Sequence, residues 1–413
     1  MFAFDKTLKL KLAESNYINK HYASGNNPID KYDSFDSFLE HRRSMFTYIR
    51  SQSFLRFQYP ITHPTNCLEE WNGIKLMYKY TRQALNITNP LAALYGIVGE
   101  DDKDSICFMT QSGQAANLNS ILTLLSSYEE LTIDYSEKMF FESIDVLTFY
   151  KEKLSQTQKV KIYFFDSCDV NFVYPQTLSK DSIYIFDTTC IIKGDSEMQD
   201  FILKCKSNNI KLILTRSHIK LDSLGYEYSL LGSVCILNYE YFPQPTVKLA
   251  QPFKHFHFRM QKAIGNHAHF ATLDQIYPFL MDKKFNHFIN EKYKRVSQNY
   301  DLLCETLKAN AISFDHYRHK QFLTLKVVKN VNNIVDYEIE KSQYITKMRK
   351  KTNFPIYYSD SFGFDYFAVT AFEKLDHSNN LNAICRLSMG DIEPSEFSVC
   401  VTVLLKIIKN LTE

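Results

Sequence analysis

Glycine is scarce in this sequence, with 11 among 413 residues. Glycine serves positions that need positive φ or close backbone approach, so each one here marks a place to read. Neither sign of charge is in excess. The 48 Lys and Arg against 46 Asp and Glu leave a net charge of +2, which gives no electrostatic footprint for a nucleic-acid or anionic-membrane partner. The short basic run Lys347-Met-Arg-Lys-Lys351 reads as a solvated helix end. No uninterrupted apolar run approaches the roughly 20 residues that span a bilayer. The start, Met1-Phe-Ala-Phe-Asp5-Lys6, turns charged at once and lacks the apolar stretch of a signal peptide. A cytoplasmic protein with no membrane partner is expected. The nine cysteines include no Cys-x-x-Cys pair, so the paired spacing of a zinc site is missing. Cys168, Cys190, Cys205 and Cys235 lie in or beside apolar stretches and read as reduced, mostly buried thiols. His255-Phe-His257 and His267-Ala-His269 read as structural, so no metal is expected. There is no internal repeat and no low-complexity tract.

What is present is ordinary globular material, 45% hydrophobic and 23% charged. The 27 Tyr and 32 Phe read as core. The length suffices for two or more domains. Residues 1–60 are mixed and polar, an N-terminal arm in which His41 to Arg50 reads as helical. In residues 61–250, apolar β-rich runs alternate with helical stretches. Ile106–Met109, Leu131–Ile133, Lys161–Phe165, Ile183–Phe186, Lys211–Leu214 and Ser233–Leu237 read as strands, with helices at Gln114–Ser127 and Met198–Asn208. Continuous apolar strands alternating with helices predict an α/β fold with a mostly parallel sheet covered on both faces. Residues 251–413 predict a smaller α+β domain. It has long helices at Phe258–Lys284 and Phe288–Ala309, strands at Gln321–Val328 and Phe367–Phe372, and a last helix at Pro394–Asn410.

In a parallel sheet, ligands sit beyond the carboxyl ends of the strands, and three candidate sites follow strands directly. Gln111-Ser-Gly-Gln-Ala-Ala-Asn117 turns from strand to helix, and helix-start amides beside a glycine favour an anion. A plain helix cap would use the same residues. Asp187 follows the strand Ile183–Phe186. It reads either as a helix cap or as the anion that keeps a pyridine nitrogen protonated. In Thr215-Arg-Ser-His-Ile-Lys220, a lysine beside phosphate-binding groups can form a Schiff base and move an α-proton. Gly225 and Gly232-Ser233 follow, as in a tightly turning segment beside a ligand. The fourth site, Cys385-Arg-Leu-Ser-Met-Gly-Asp391, places Arg386 in an apolar strand. Its planar fork matches either a protein carboxylate or a substrate's.

The order of these features resembles the Cys/Met-metabolism family of pyridoxal-phosphate enzymes, which contains cystathionine synthases and lyases and methionine γ-lyase. The order is a Ser-Gly turn, Asp after a strand, Ser-x-x-Lys after a strand, then Arg-Leu-Ser-x-Gly. The resemblance spans roughly residues 59–395. It implies the aspartate-aminotransferase-like architecture of fold type I, with pyridoxal 5′-phosphate as cofactor. It implies that the Gly113 and Gln114 amides and Ser217 bind the phosphate, that Asp187 pairs with the ring nitrogen, and that Thr189 stands beside it. It places the cofactor on Lys220, which would also serve as the catalytic base. Arg386 would hold the substrate's α-carboxylate, with Ser361 of Ser361-Phe-Gly-Phe364 lining that site. Tyr59 would reach the phosphate, and Phe140 would stack on the ring.

Besides Thr188, which stands in place of an asparagine, and a long interval from Asp187 to Lys220, the sequence departs from the family in three places. Ile219 stands where the family has Ser or Thr. The segment Tyr59-Pro-Ile-Thr-His-Pro64-Thr65 lacks the family's arginine. Phe140 and Phe141 have no hydroxyl for the role of the family's ring-stacking tyrosine, a role open to Tyr135. The reaction implied is β- or γ-elimination or replacement on an L-amino acid through an external aldimine. Transamination, decarboxylation or a catalytically silent binding subunit are the alternatives. The family also implies a homodimer or homotetramer.

Overall fold

The computed structural model describes residues 2–23, 29–57, 67–71, 74–78, 86–87, 95, 97, 105–150, 160–246, 254–266, 269, 271, 275–327, 334–375 and 381–412. In chain order the elements begin with α1 (Asp5–Tyr22), α2 (Phe35–Phe57), β1 (Cys67–Trp71), β2 (Ile74–Tyr78) and β3 (Asn86–Ile87). Next come β4 (Ser105–Thr110), α3 (Gly113–Leu125), β5 (Leu131–Tyr135), α4 (Phe141–Phe149), β6 (Val160–Asp166), β7 (Ile183–Asp187), α5 (Ser196–Ser207), β8 (Lys211–Ser217) and β9 (Gly232–Leu237). The chain ends with α6 (Phe256–Asn266), α7 (Lys283–Ala309), β10 (Phe314–Asp315), β11 (Phe322–Lys326), α8 (Ile334–Thr352), β12 (Ile356–Tyr358), β13 (Phe367–Leu375), β14 (Leu381–Ser388) and α9 (Pro394–Thr412).

The chain divides into an α/β unit, residues 50–219 and 227–286, and an α+β unit, residues 1–49, 220–226 and 287–413. This differs from boundaries at 60 and 250. Residues 1–49 are not a separate arm but join the C-terminal residues, and 251–286 belong with the α/β unit.

The α/β unit holds a six-stranded sheet in the order β4-β9-β8-β7-β6-β5. Strands β5 to β8 run parallel, and β9 is antiparallel to both of its neighbours. Every residue of β7 and β9 is buried, as expected of strands covered on both faces. Ile162, Ile185, Ile213, Val234 and Ile236 pack with Ile121 and Leu124 of α3 and with Phe256, Met260 and Ile264 of α6. Each such side chain is worth about 1.5–3 kcal/mol in burial. The register aligns Asp166 with Asp187 and Asp187 with Thr215. Three polar residues therefore stand side by side, at the ends of β6 and β7 and two residues before the end of β8. β1, β2 and β3 form a separate antiparallel sheet.

The single helix expected over Phe258–Lys284 does not form. α6 ends at Asn266, and residues 275–282 are turns. Pro278 lies among those turns, where its missing N–H and its ring oppose a helix. α7 starts afresh at Asp282, whose Oδ1 accepts from the amides of Lys284 (2.7 Å) and Phe285 (3.1 Å).

The α+β unit holds a five-stranded sheet, β10-β11-β14-β13-β12, antiparallel except for β12 beside β13. Its core joins Leu323, Leu325, Val369 and Leu387 to Leu303 and Leu307 of α7, Leu404 and Ile407 of α9, and Phe4. α1 is anchored at its start by Glu396, which accepts from the amides of Lys6 (2.7 Å) and Thr7 (3.0 Å) and from the Thr7 hydroxyl (2.6 Å). α1 and α2 then carry charges into the unit's interior. Asp365 receives Arg42 (2.6 Å), Lys11 (2.8 Å) and Lys292 (3.1 Å). Glu14 pairs with Arg42 (2.9 Å) and Lys11 (3.1 Å), and Asp391 pairs with Arg295 (2.7 Å) and Lys11. No helix among the described residues is long and apolar enough to cross a membrane. Cys190, Cys205 and Cys235 are buried free thiols, and Cys168 is a half-buried one.

Candidate functional site

The predicted site residues fall into two sets, one in each unit. Gly113, Gln114, Phe140, Asp187, Thr189 and Ser217 lie in the α/β unit; Lys220, Ser361 and Arg386 lie in the α+β unit. Tyr59, with Pro64 and Thr65, lies outside the described residues.

In the α/β unit, the turn from β4 into α3 sits against the end of β8 and the start of β9. Ser112 caps α3, its hydroxyl accepting from the Ala115 amide at 3.0 Å. The amides of Gly113 and Gln114, in the first turn, have no intrahelical acceptor. A Cβ on Gly113 would stand 2.7 Å from Ser217 Cβ, and one on Gly232 would stand 2.2 Å from the Ser112 carbonyl oxygen. Two of the few glycines are thus spent on bringing the helix N-terminus onto Ser217. Ser217 is half-buried, and its amide donates to Thr189 Oγ1 at 2.9 Å. The Gln114 side-chain NH2 donates to Ser143 Oγ at 3.2 Å, and its amide oxygen is buried with no partner among the described residues.

Asp187 ends β7 and is buried. Its Oδ2 accepts from Asn117 Nδ2 at 2.8 Å and its Oδ1 from the Thr189 amide at 2.9 Å. Asn117 is held in turn by the Thr215 hydroxyl, which donates to its Oδ1 at 2.6 Å. Thr189 thus bridges Asp187 through its amide and Ser217 through its hydroxyl. Buried Arg216 donates to the carbonyls of Thr188 (2.7 Å) and Ile191 (2.8 Å) and so fixes the turn after Asp187. Beside Asp187, Asp166 accepts from the amides of Cys168 (2.7 Å) and Phe140 (3.1 Å), which sets the start of α4 and the half-buried Phe140.

Burial pushes the Asp187 carboxyl above the usual range, against the hydrogen bonds from Thr189 and Asn117 and the Arg216 charge. Burial raises Asp166 further, with the Asp187 charge adding to the rise. A cationic group brought to Asp187 would favour its ionised form. Asn117, Thr215 and Arg216 stand in the sequence motifs without a role assigned to them there, and Asp166 stands outside them. Only a polar residue in or after an apolar run marks them, and such residues are common.

In the α+β unit, Lys220, Ser361 and Arg386 come together. Lys220 opens a single 3-10 turn, Leu221–Ser223. Its Nζ donates to Ser361 Oγ and lies 5.7 Å from the centre of the Phe362 ring. Arg386, in β14, donates from one guanidinium nitrogen to the Asp360 carbonyl and lies 5.6 Å from the Phe322 ring. Two residues along the same face, Ser388 Oγ donates to the Ser361 carbonyl at 3.1 Å. The Thr370 hydroxyl of β13 donates to Asp360 Oδ1 at 2.6 Å. Gly363, at φ +84°, lets the segment 361–365 lie against Lys220, whose carbonyl oxygen would be 3.3 Å from a Cβ there.

No protein-family profile matches the chain, and no curated protein matches its sequence. Solved structures do match over most of its length. Cystathionine gamma synthase from Xanthomonas oryzae pv. oryzae, in complex with cystathionine, superposes with a TM-score of 0.54 at 12% identity, covering 90% of this chain and 99% of that one. The metB product of Corynebacterium glutamicum gives 0.53 at 11% identity, covering 86% and 92%. A Campylobacter jejuni protein described as an O-acetylhomoserine (thiol)-lyase, which carries N′-pyridoxyl-lysine-5′-monophosphate, gives 0.50 at 13% identity, covering 86% and 94%. The chain has the fold of these proteins, the fold type I architecture with its mostly parallel central sheet.

Proposed function

We propose that the chain is a pyridoxal-phosphate-dependent enzyme acting on an L-amino acid, with β- or γ-elimination or replacement at the side chain as its reaction. The observation that carries this reading is the Lys220 ammonium on Ser361, three residues beyond Ser217 in the chain. Lys220 follows Ser217 by three residues, the Ser-x-x-Lys order on which the family resemblance rests. The residues present fit the group. Gly113 lets the first turn of α3, with its amides that lack intrahelical acceptors, lie against Ser217, and burial has raised Asp187 so that a cation would stabilise it. The pyridoxyl-lysine of the Campylobacter jejuni structure supports the cofactor, and the cystathionine of the Xanthomonas structure supports chemistry on an amino-acid side chain.

In this reading the Gly113 and Gln114 amides and the Ser217 hydroxyl hold the phosphate, with the α3 dipole favouring its charge. Asp187, oriented by Asn117 and Thr189, takes the ring N–H, and Phe140 covers a ring face. Arg386 grips the substrate carboxylate. When bound, pyridoxal phosphate supplies an aldehyde that condenses with amines and a ring that takes up negative charge from the substrate. Lys220 would carry the proton to and from the substrate α-carbon, with Ser361 orienting its free amine.

Phe140 and Phe141 favour a second reading, transamination, because neither can donate a proton to a leaving group. The full chain with pyridoxal phosphate should be given L-amino acids bearing a thiol or acyl-ester leaving group. Release of a 2-oxo acid without an amino acceptor is expected, and Asp187→Asn should lose about 10- to 100-fold of that rate through one charged hydrogen bond. Product formed only when a 2-oxo acid acceptor is added would replace elimination by transamination. No product under either condition would overturn both.

A further inference from the structure

The stretch that carries Lys220 is strained and holds only the single 3-10 turn Leu221–Ser223. Leu224 lies at φ +55° and Gly225 at φ +76°. A left-handed leucine is strained and persists only where its surroundings over-determine it. Part of the constraint is local: the amides of Leu224, Gly225 and Tyr226 donate to the carbonyls of Leu221 (3.2 Å), Lys220 (3.1 Å) and Ser223 (3.1 Å). Part is contact, since a Cβ on Gly225 would stand 2.1 Å from the Gly363 carbonyl oxygen.

A further part comes from Lys292 of α7. Its ammonium donates to the Leu224 carbonyl (2.8 Å), the Gly363 carbonyl (2.8 Å) and Asp365 Oδ1 (3.1 Å). An ammonium has three N–H donors, and these acceptors use them all. Lys292 is 6% exposed, so water cannot replace it cheaply. Arg295 and Asn299, on the same face of α7, hold Asp391 and the Ile392 carbonyl. That face is therefore a polar anchor line, and Lys292 is its contact to the lysine loop.

We propose that Lys292 is a positioning residue for Lys220, joining the 220–225 turn to the 361–365 segment so that the Lys220 amine stands at Ser361. This rests on the reading of Lys220 as the cofactor lysine. Lys11 supplies the control. It is buried in the same ionic cluster and pairs with Glu14, Asp365 and Asp391, but it touches no carbonyl of the turn.

Lys292→Met and Lys11→Met in the full chain should both lower thermal stability. In Lys292→Met alone, the amides of Leu224, Gly225 and Tyr226 should exchange faster with solvent. Borohydride trapping of pyridoxal phosphate on Lys220 should slow by roughly 100-fold, the scale of a misplacement of about 1 Å. Lys292→Gln, which keeps N–H donors, replaces the Met variant if that variant does not fold. Equal exchange at the three amides in the Lys292 and Lys11 variants would overturn the proposal, and so would wild-type trapping by the Lys292 variant. A wild type that traps no cofactor would remove the reading of Lys220, while the exchange comparison would still decide whether Lys292 fixes the turn.

Discussion

Replacing Asp365 by alanine is expected to cost about 3–5 kcal/mol of stability, the range for removing one partner of a buried ion pair. Asp365 is buried and is the meeting point of Lys11, Arg42 and Lys292. Burial alone would raise its carboxyl, yet the three cations hold it well below the usual range. Without it, those cations face each other with only Glu14 and Asp391 to offset them. Urea unfolding followed by circular dichroism measures the loss; a change within about 0.5 kcal/mol, as at an ordinary surface site, would show that the cluster is not what holds the unit.

The same cluster sets an acid limit. Burial would raise Asp391 too, but Lys11 and Arg295 hold it down to about 2 from a usual 3.8. A depressed carboxyl stabilises the fold above its unfolded pKa, and that stability disappears as pH falls toward the folded one. The α+β unit should therefore keep its Asp391 contribution at pH 5 and lose it progressively between about pH 4 and 2.

Arg386→Met is expected to lower kcat/KM for the amino-acid substrate by roughly 100- to 1000-fold, in keeping with a loss of about 2–5 kcal/mol when one partner of a hydrogen-bonded charge pair is truncated. The methionine keeps the apolar stem beside Phe322 while removing the fork. The Asp360 carbonyl loses one donor, but Thr370 still holds the Asp360 side chain and Ser388 the Ser361 carbonyl. Cofactor binding should accordingly change little. Arg386→Lys should recover only a small part, because an ammonium cannot reproduce two parallel hydrogen bonds. An unchanged kcat/KM would show that the arginine is merely structural.

The sheet of the α/β unit was legible because its strands are covered on both faces, so that Ile183–Phe186 and Ser233–Leu237 read as apolar runs. The candidate site was read from residues that follow those strands and from an order that resembles a family's. α1 was not. Its buried face carries Lys11, Glu14, Ser15 and Asn19, so the signal that marks a packed helix is missing, and the segment reads as a polar arm. The ionic cluster was hidden by distance along the chain: Lys11 and Asp391 are 380 residues apart. Asn117 was hidden differently. α3 buries Asn117, Asn119, Ser120 and Thr123 as well as Ile121 and Leu124, so its polar residues do not mark a solvent face. The false helix across residues 258–284 came from reading apolar spacing through Gly265 and Pro278.

Lys220 is the proposed point of covalent attachment. The full-length protein should be incubated with pyridoxal phosphate, reduced with borohydride and digested, and the adduct located by mass spectrometry. The expected result is one pyridoxyl adduct, on the peptide containing Lys220, with a visible absorption band before reduction that Lys220→Ala lacks. No adduct, or adducts spread over surface lysines and unchanged in Lys220→Ala, would contradict it.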